Sequence, residues 1–164
     1  MEATTIIWAT DGSDLADRAL DVVRSFGKNW TPLPRVVGVH IDQRWTGRAM
    51  NVSKLAGEED LVTKIHSQLQ ALEKEGFATG FELRQAHRME DQSELIASIA
   101  AEHDAHVIVV GTRGQGRLAG ALLGSVAQGL LHKAACPVLV VPPTNKEQLT
   151  GDRAEESTEP TAAG

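Results

Sequence analysis

Apolar residues recur along this chain in two rhythms. The first is short and largely β-branched. Thr4 to Thr10, with Ile6, Ile7 and Trp8 at its centre, predicts a strand. Val36 to Ile41 (VVGVHI) predicts a second, roughly Gly80 to Ala86 a third, Val107 to Val110 a fourth, and Val138 to Val141, entered from Pro137, a fifth. The second rhythm is helical. Ala16, Ala19, Leu20 and Val23 form a stripe to about Phe26, with Ser13 as N-cap, Asp14 in the first turn and Gly27 as the stop. Leu61, Ile65, Leu69 and Leu72 predict a second amphipathic helix ending near Gly76. Asp91-Gln92-Ser93-Glu94 reads as a capping box opening a third, with Leu95, Ile96, Ile99 and Ala100 on one face. Ser125 to Ala135 is the fourth. From Gln43 to Glu59 the periodicity is lost, and an irregular surface insertion is expected there.

Strands and helices alternate throughout. Near-continuous apolar strands in that order imply an α/β fold: an open five-stranded parallel sheet with helices on both faces and right-handed crossovers. A chain of 164 residues suits one domain, expected over residues 1–143. Residues 144–164 hold five acids, two bases and a single leucine as their only large apolar residue, so a disordered acidic tail is expected.

Composition narrows the function. A net charge of −6 and a pI near 5.5 argue against a nucleic-acid partner. No apolar run is long enough to span a bilayer, and MEATTIIWATDGS carries no basic leader region. One cysteine, Cys136, excludes an intramolecular disulfide and suits a reducing cytoplasm. The six histidines are scattered without zinc spacing, so no metal site is expected. His40, alone on a buried strand, is expected to be structural.

The chemistry concentrates between Val107 and Pro142. A strand leads into Gly111, Gly114, Gly116, Gly120 and Gly124, then a helix, then a strand. Backbone N–H groups of such a loop, with a helix N-terminus behind them, suit an anion. No Asp or Glu lies between Asp104 and Glu147, while Arg113, Arg117, Lys133 and Lys146 do; one or two of these cations are expected to face a ligand. Gly114-Gln115-Gly116-Arg117-Leu118-Ala119 fits a dinucleotide fingerprint, but the acid that should hold a ribose about 20 residues on is missing. A Walker A loop is absent, since the only Gly-Lys pair, Gly27-Lys28, precedes Asn29. No G-x-S-x-G elbow or Ser-His-Asp order appears, so no catalytic residue is assigned.

Gly111-x-x-Gly114, nine residues, then Gly124-Ser125, running on through GSVAQGLLHKAACPVLVVP, resembles the nucleotide-binding motif and carboxyl end of the universal stress protein family, in its ATP-binding subgroup. The opening strand–Asp11-Gly12-Ser13–helix is similar to that family's start. The resemblance covers roughly residues 4–142. It implies a Rossmann-like sheet of strand order 3-2-1-4-5, with the ligand at the carboxyl ends of strands 1 and 4. It implies that ATP is the cofactor, with Mg carried on its phosphates. Ala9, Thr10 and Asp11 would meet the nucleoside end, and Ile41 the adenine. Val110 and Val126 would line the site. Gly111, Gly114 and Gly124 would wrap the ribose and phosphates, with Ser125 and Arg113 on phosphate oxygens. On the residues alone, Asp11 serves equally to close its own turn. The resemblance also implies a homodimer through Val138, Leu139, Val140 and Val141. The alternatives are an AMP or cyclic-nucleotide binder, a slow ATPase, and a nucleotide-free dimeric interaction protein. Either way the output would be a stress-response or signalling module.

Overall fold

The structure, a computed structural model, describes residues 4–42, 52–86, 90–113 and 123–143, with backbone alone at 52–56. Nine elements alternate along the chain: β1 (Thr5–Ala9), α1 (Asp14–Gly27), β2 (Arg35–Asp42), α2 (Val52–Lys74), β3 (Ala78–Gln85), α3 (Gln92–Glu102), β4 (Val107–Gly111), α4 (Ser125–Lys133) and β5 (Val138–Val141). The five strands form one sheet in the order β3-β2-β1-β4-β5, parallel throughout. Ile7 stands opposite Val37 on one side and Ile108 on the other, so β1 is central.

Central strands must bury both faces, and the residues of β1 divide accordingly. Ile6 and Trp8 pack with Ala19, Leu20 and Val23 of α1 and Ile65, Leu69 and Leu72 of α2. Ile7 and Ala9 pack with Ile96, Ile99 and Ala100 of α3 and Ala127 and Leu130 of α4. Thus α1 and α2 cover one face, α3 and α4 the other.

Trp8 is large for such a position and is fully buried. Its strand partner is Gly38, and a Cβ at Gly38 would stand 3.4 Å from Trp8 Cε3 and 3.3 Å from Leu69 Cδ1. The missing side chain on β2 makes room for the indole on β1. The indole N–H donates to the Ala16 carbonyl at 2.8 Å, so its polar end is satisfied as well.

The expected boundaries shift most at α2. It begins at Val52, so residues 52–59 are helical and not part of an irregular insertion. Apolar spacing starts only at Leu61, whereas the first turns carry Lys54, Ala56, Glu58 and Glu59, good helix formers without a stripe. Residues 43–51 lie outside the described residues, as does the tail at 144–164. At the other end of α2, Gly76 has φ of 95° and Phe77 N–H donates to the Leu72 carbonyl at 3.1 Å, a glycine C-terminal cap. β3 starts at Ala78, two residues before the expected Gly80, because Ala78 pairs with Arg35. α4 ends at Lys133, and Ala134 is already extended (ψ 137°).

Candidate functional site: the crevice at the ends of β1 and β4

Strands β1 and β4 are neighbours whose chains leave the sheet toward opposite faces, and both end at the same edge. In such a sheet a crevice opens outside the carboxyl ends. Its β1 wall is the turn from Thr10 to Ser13. Thr10 N–H donates to the Val39 carbonyl at 2.9 Å, continuing the ladder. Thr10 Oγ1 accepts the Gly12 N–H at 3.1 Å, and Asp11 Oδ1 accepts the Ser13 N–H at 3.0 Å. Ser13 Oγ accepts the Ala16 N–H at 3.3 Å and caps α1, as its position suggested. Asp11 therefore does close its own turn. Gly12 has φ of 77°, and a Cβ there would stand 2.2 Å from Leu61 Cδ1, so only glycine fits.

The β4 wall runs from Val110 to Arg113 and resumes at Leu123. Thr112 joins its two parts. Its N–H donates to the Val141 carbonyl at 2.9 Å, and its own carbonyl accepts the Gly124 N–H at 2.6 Å. Thr112 and Gly124 are thus held directly together. Gly124 is the N-cap of α4, with φ of −73° and no side chain to cap the first-turn N–H groups. Ser125 is exposed at the first helical position; Val126 and Arg113 are half-buried. The Thr112 hydroxyl is buried, with no hydrogen-bond partner among the described residues.

Glycine does different work at the two described motif positions. A Cβ on Gly111 would stand 3.0 Å from Leu15 Cβ and 3.2 Å from the Leu15 carbonyl oxygen. Gly111 lets β4 pass against the first turn of α1. Gly124 has an ordinary backbone conformation, so its chain path does not require glycine. Gly114, together with Gly116, Gly120 and Arg117, lies outside the described residues.

The apolar candidates converge. Ala9, Ile41 and Val110 are buried in one cluster, and Val126 packs against it. The cations separate: Lys133 sits at the far end of α4, 2.6 Å from Asp91 Oδ2, leaving Arg113 the member of the set nearest the loop among the described residues. Cys136 is half-buried, and burial pushes its thiol up, which leaves it a poor nucleophile. His40 is buried, with Nδ1 2.9 Å from the Thr10 carbonyl and Nε2 2.9 Å from Glu58 Oε1, a locally satisfied ring as expected.

Two residues escaped the sequence reading. Thr112 sits inside Gly-x-x-Gly, where no local pattern marks its hydroxyl. Lys64, on the polar flank of α2, donates to the Gly12 carbonyl at 2.9 Å; nothing in its own neighbourhood signalled a contact so distant in sequence. Among the described residues no group of three or more His, Cys, Asp or Glu could hold a metal, and no helix is long and apolar enough to cross a membrane.

Comparison with known proteins gives this geometry a context. A universal stress protein from the QAH/OAS sulfhydrylase 3′ region of Thermus aquaticus is 30% identical over 141 residues, covering 84% of this chain and 97% of that one. The structure of MJ0577, a universal stress protein of Methanocaldococcus jannaschii, superposes with a TM-score of 0.72 at 25% identity, covering 88% of this chain and 99% of that one. Two fold neighbours carry nucleotides: an Archaeoglobus fulgidus universal stress protein in complex with dAMP (TM-score 0.58, 24% identity, 85% and 98% covered) and a universal stress protein in complex with cAMP (TM-score 0.57, 22% identity, 87% and 98% covered). At those identities the last two speak to the fold. The profile of the universal stress protein family matches residues 2–142, and this chain belongs to that family.

Proposed function

We propose that the crevice binds ATP, and that the protein works as a nucleotide-dependent stress-response or signalling module. One observation carries the reading. Thr112, whose buried hydroxyl has no partner among the described residues, is bonded through its carbonyl to the Gly124 N–H at the N-terminus of α4, and that cap residue has no side chain. A phosphate oxygen would satisfy both, and the helix dipole would add to the attraction. Gly124 and Ser125 supply N–H groups and a hydroxyl; Arg113 neutralises outer phosphates. Asp11 receives the ribose, and Ala9, Thr10, Ile41, Val110 and Val126 enclose the base. Gly111 keeps β4 close enough to α1 for these walls to meet. Magnesium arrives on the nucleotide and spreads phosphate charge, held by phosphate and water. The dAMP and cAMP of the fold neighbours belong to those proteins, and they make the phosphate number the quantity to measure. The β5 edge completes the proposal: Leu139 is exposed, β4 covers one side of the strand, and a second copy pairing on the other gives a homodimer.

The test is nucleotide release. The protein is purified from cells and denatured, and the supernatant is read by mass spectrometry beside a Gly124→Val variant. ATP from the natural chain alone supports the reading. An empty natural chain that also ignores added ATP-Mg sinks it in favour of a nucleotide-free interaction protein. AMP or a cyclic nucleotide keeps the site and changes the signal. Light scattering on the same sample checks the dimer, and a mass of one 17.6 kDa chain excludes it.

A further inference from the structure

Helix α2 grips the β1–α1 turn from outside the crevice. Lys64 Nζ donates to the Gly12 carbonyl at 2.9 Å and to Asp17 Oδ2 at 2.7 Å. Gln68, one turn on, donates to the other Asp17 oxygen at 2.8 Å. Leu61 lies against Gly12, filling the space where a Cβ would project. Glu58 meets His40 Nε2, and His40 Nδ1 meets the Thr10 carbonyl. A carbonyl oxygen only accepts, so Nδ1 carries the proton of that bond. Positions 58, 61, 64 or 65 and 68 recur at helical spacing, so the grip comes from one face of α2.

The geometry of one peptide plane makes the grip consequential. The Gly12 carbonyl and the Ser13 N–H belong to the same planar unit and point in opposite directions. Lys64 holds the carbonyl end; Asp11 Oδ1 accepts the N–H end. An ammonium on the carbonyl also polarises the unit and strengthens its N–H as a donor. The plane of the Thr10–Asp11 peptide is fixed in the same manner through His40. The peptide that enters Asp11 and the peptide whose N–H the Asp11 carboxylate accepts are therefore both oriented from α2 or through a partner of α2. The core does not depend on these contacts, since Ile65, Leu69 and Leu72 pack α2 onto the sheet independently.

We infer that the Glu58–Leu61–Lys64 face of α2 sets nucleotide affinity by orienting Asp11, with Lys64 as a positioning residue that does not touch the ligand; this rests on the nucleotide reading above. Coupling between two sites is reciprocal. A nucleotide on Asp11 tightens α2 against the turn, and a partner that draws α2 away weakens nucleotide binding.

Titration calorimetry of the full chain with ATP-Mg tests this in a cycle. Lys64→Met keeps the stem and removes the donor; it is expected to weaken binding about fivefold to tenfold. Lys64→Arg restores a donor and most of the affinity. In an Asp11→Ala background Lys64→Met is expected to cost nothing further, because the residue it positions is gone. Amide exchange at Ser13 should quicken in nucleotide-free Lys64→Met, with the thermal midpoint little changed, as the ion pair to Asp17 is half-exposed. Natural affinity in Lys64→Met overturns the inference, and so does an equal loss with Asp11 absent. No binding by the natural chain sinks the nucleotide reading and this inference together, whereas unchanged binding by Lys64→Met sinks this inference alone.

Discussion

On the β1 side of the crevice, Thr10 Oγ1 and Asp11 Oδ1 each accept a backbone N–H from within the turn, Ser13 Oγ accepts one from the first turn of α1, and Lys64 donates to the Gly12 carbonyl. On the β4 side, Gly124 brings no cap to α4, and the Thr112 hydroxyl is buried without a partner among the described residues. Leaving a buried polar group unsatisfied costs about 1–3 kcal/mol. The first wall is complete in the protein alone and contributes shape. The second bears a polar deficit, and a ligand oxygen arriving there relieves a cost the fold already carries. Under the proposed nucleotide reading, the nucleoside would meet a finished wall and the phosphates one with a polar deficit.

The largest effect expected is on the fold. Gly111 and Gly124 belong to one motif, yet Gly111 is constrained by the Leu15 backbone and Gly124 by nothing in its own dihedrals. Gly111→Ala must push β4 and α1 apart or strain both, and should cost about 1–3 kcal/mol of unfolding free energy in urea. A variant as stable as the natural chain would mean that Gly111 serves the ligand only, and the distinction between the two glycines would collapse.

Thr112→Val probes the deficit itself. Replacing an unsatisfied buried hydroxyl by a methyl should leave the nucleotide-free protein as stable, or raise its stability by about 1 kcal/mol, while ATP affinity falls roughly twofold to tenfold. Stability and affinity are expected to move in opposite directions. If stability drops and affinity holds, the hydroxyl has a structural partner and the β4 wall is as finished as the β1 wall.

Much of this was legible in the chain, in proportion to how local each cause is. Alternating strands and helices, the Ser13 cap and the Asp11 turn all depend on residues within a few positions of each other. The strand order did not follow from alternation; it came from the likeness of the Gly111–Gly124 motif to a family. The start of α2 did not show in the sequence because residues 52–59 (VSKLAGEE) carry no repeating apolar stripe of the kind that begins at Leu61. The accommodation of Trp8 by Gly38 and the grip of Lys64 on Gly12 link residues far apart in sequence, and no local pattern reports such a pair. Thr112 was passed over because a hydroxyl is conspicuous only once its surroundings are known to lack a partner.

The smallest expected effect concerns the far end of α4, where the polar account closes again. Asp91 accepts from Lys133 Nζ at 2.6 Å and from Ser93 N–H and Oγ at 2.8 and 2.6 Å. The Lys133 bond first, then those of Ser93, hold its carboxyl down to about 2, from an ordinary 3.8. Gly129 lies so close to Ser93 that a Cβ would stand 2.2 Å from Ser93 Oγ, so the helices touch here. A carboxyl lowered in the folded state stabilises it above the unfolded value, and that stability drains away as pH falls through about 2. Half the Asp91 side chain is exposed, so solvent screens the pair and the contribution stays below about 1 kcal/mol. Asp91→Asn should therefore lower the urea midpoint slightly at neutral pH, and the gap to the natural chain should narrow toward about pH 2. Equal gaps at both pH values would show that the carboxylate charge adds nothing. Under the proposed nucleotide reading, ATP affinity at neutral pH should be untouched by Asp91→Asn, because Asp91 anchors the end of α4 opposite its uncapped N-terminus.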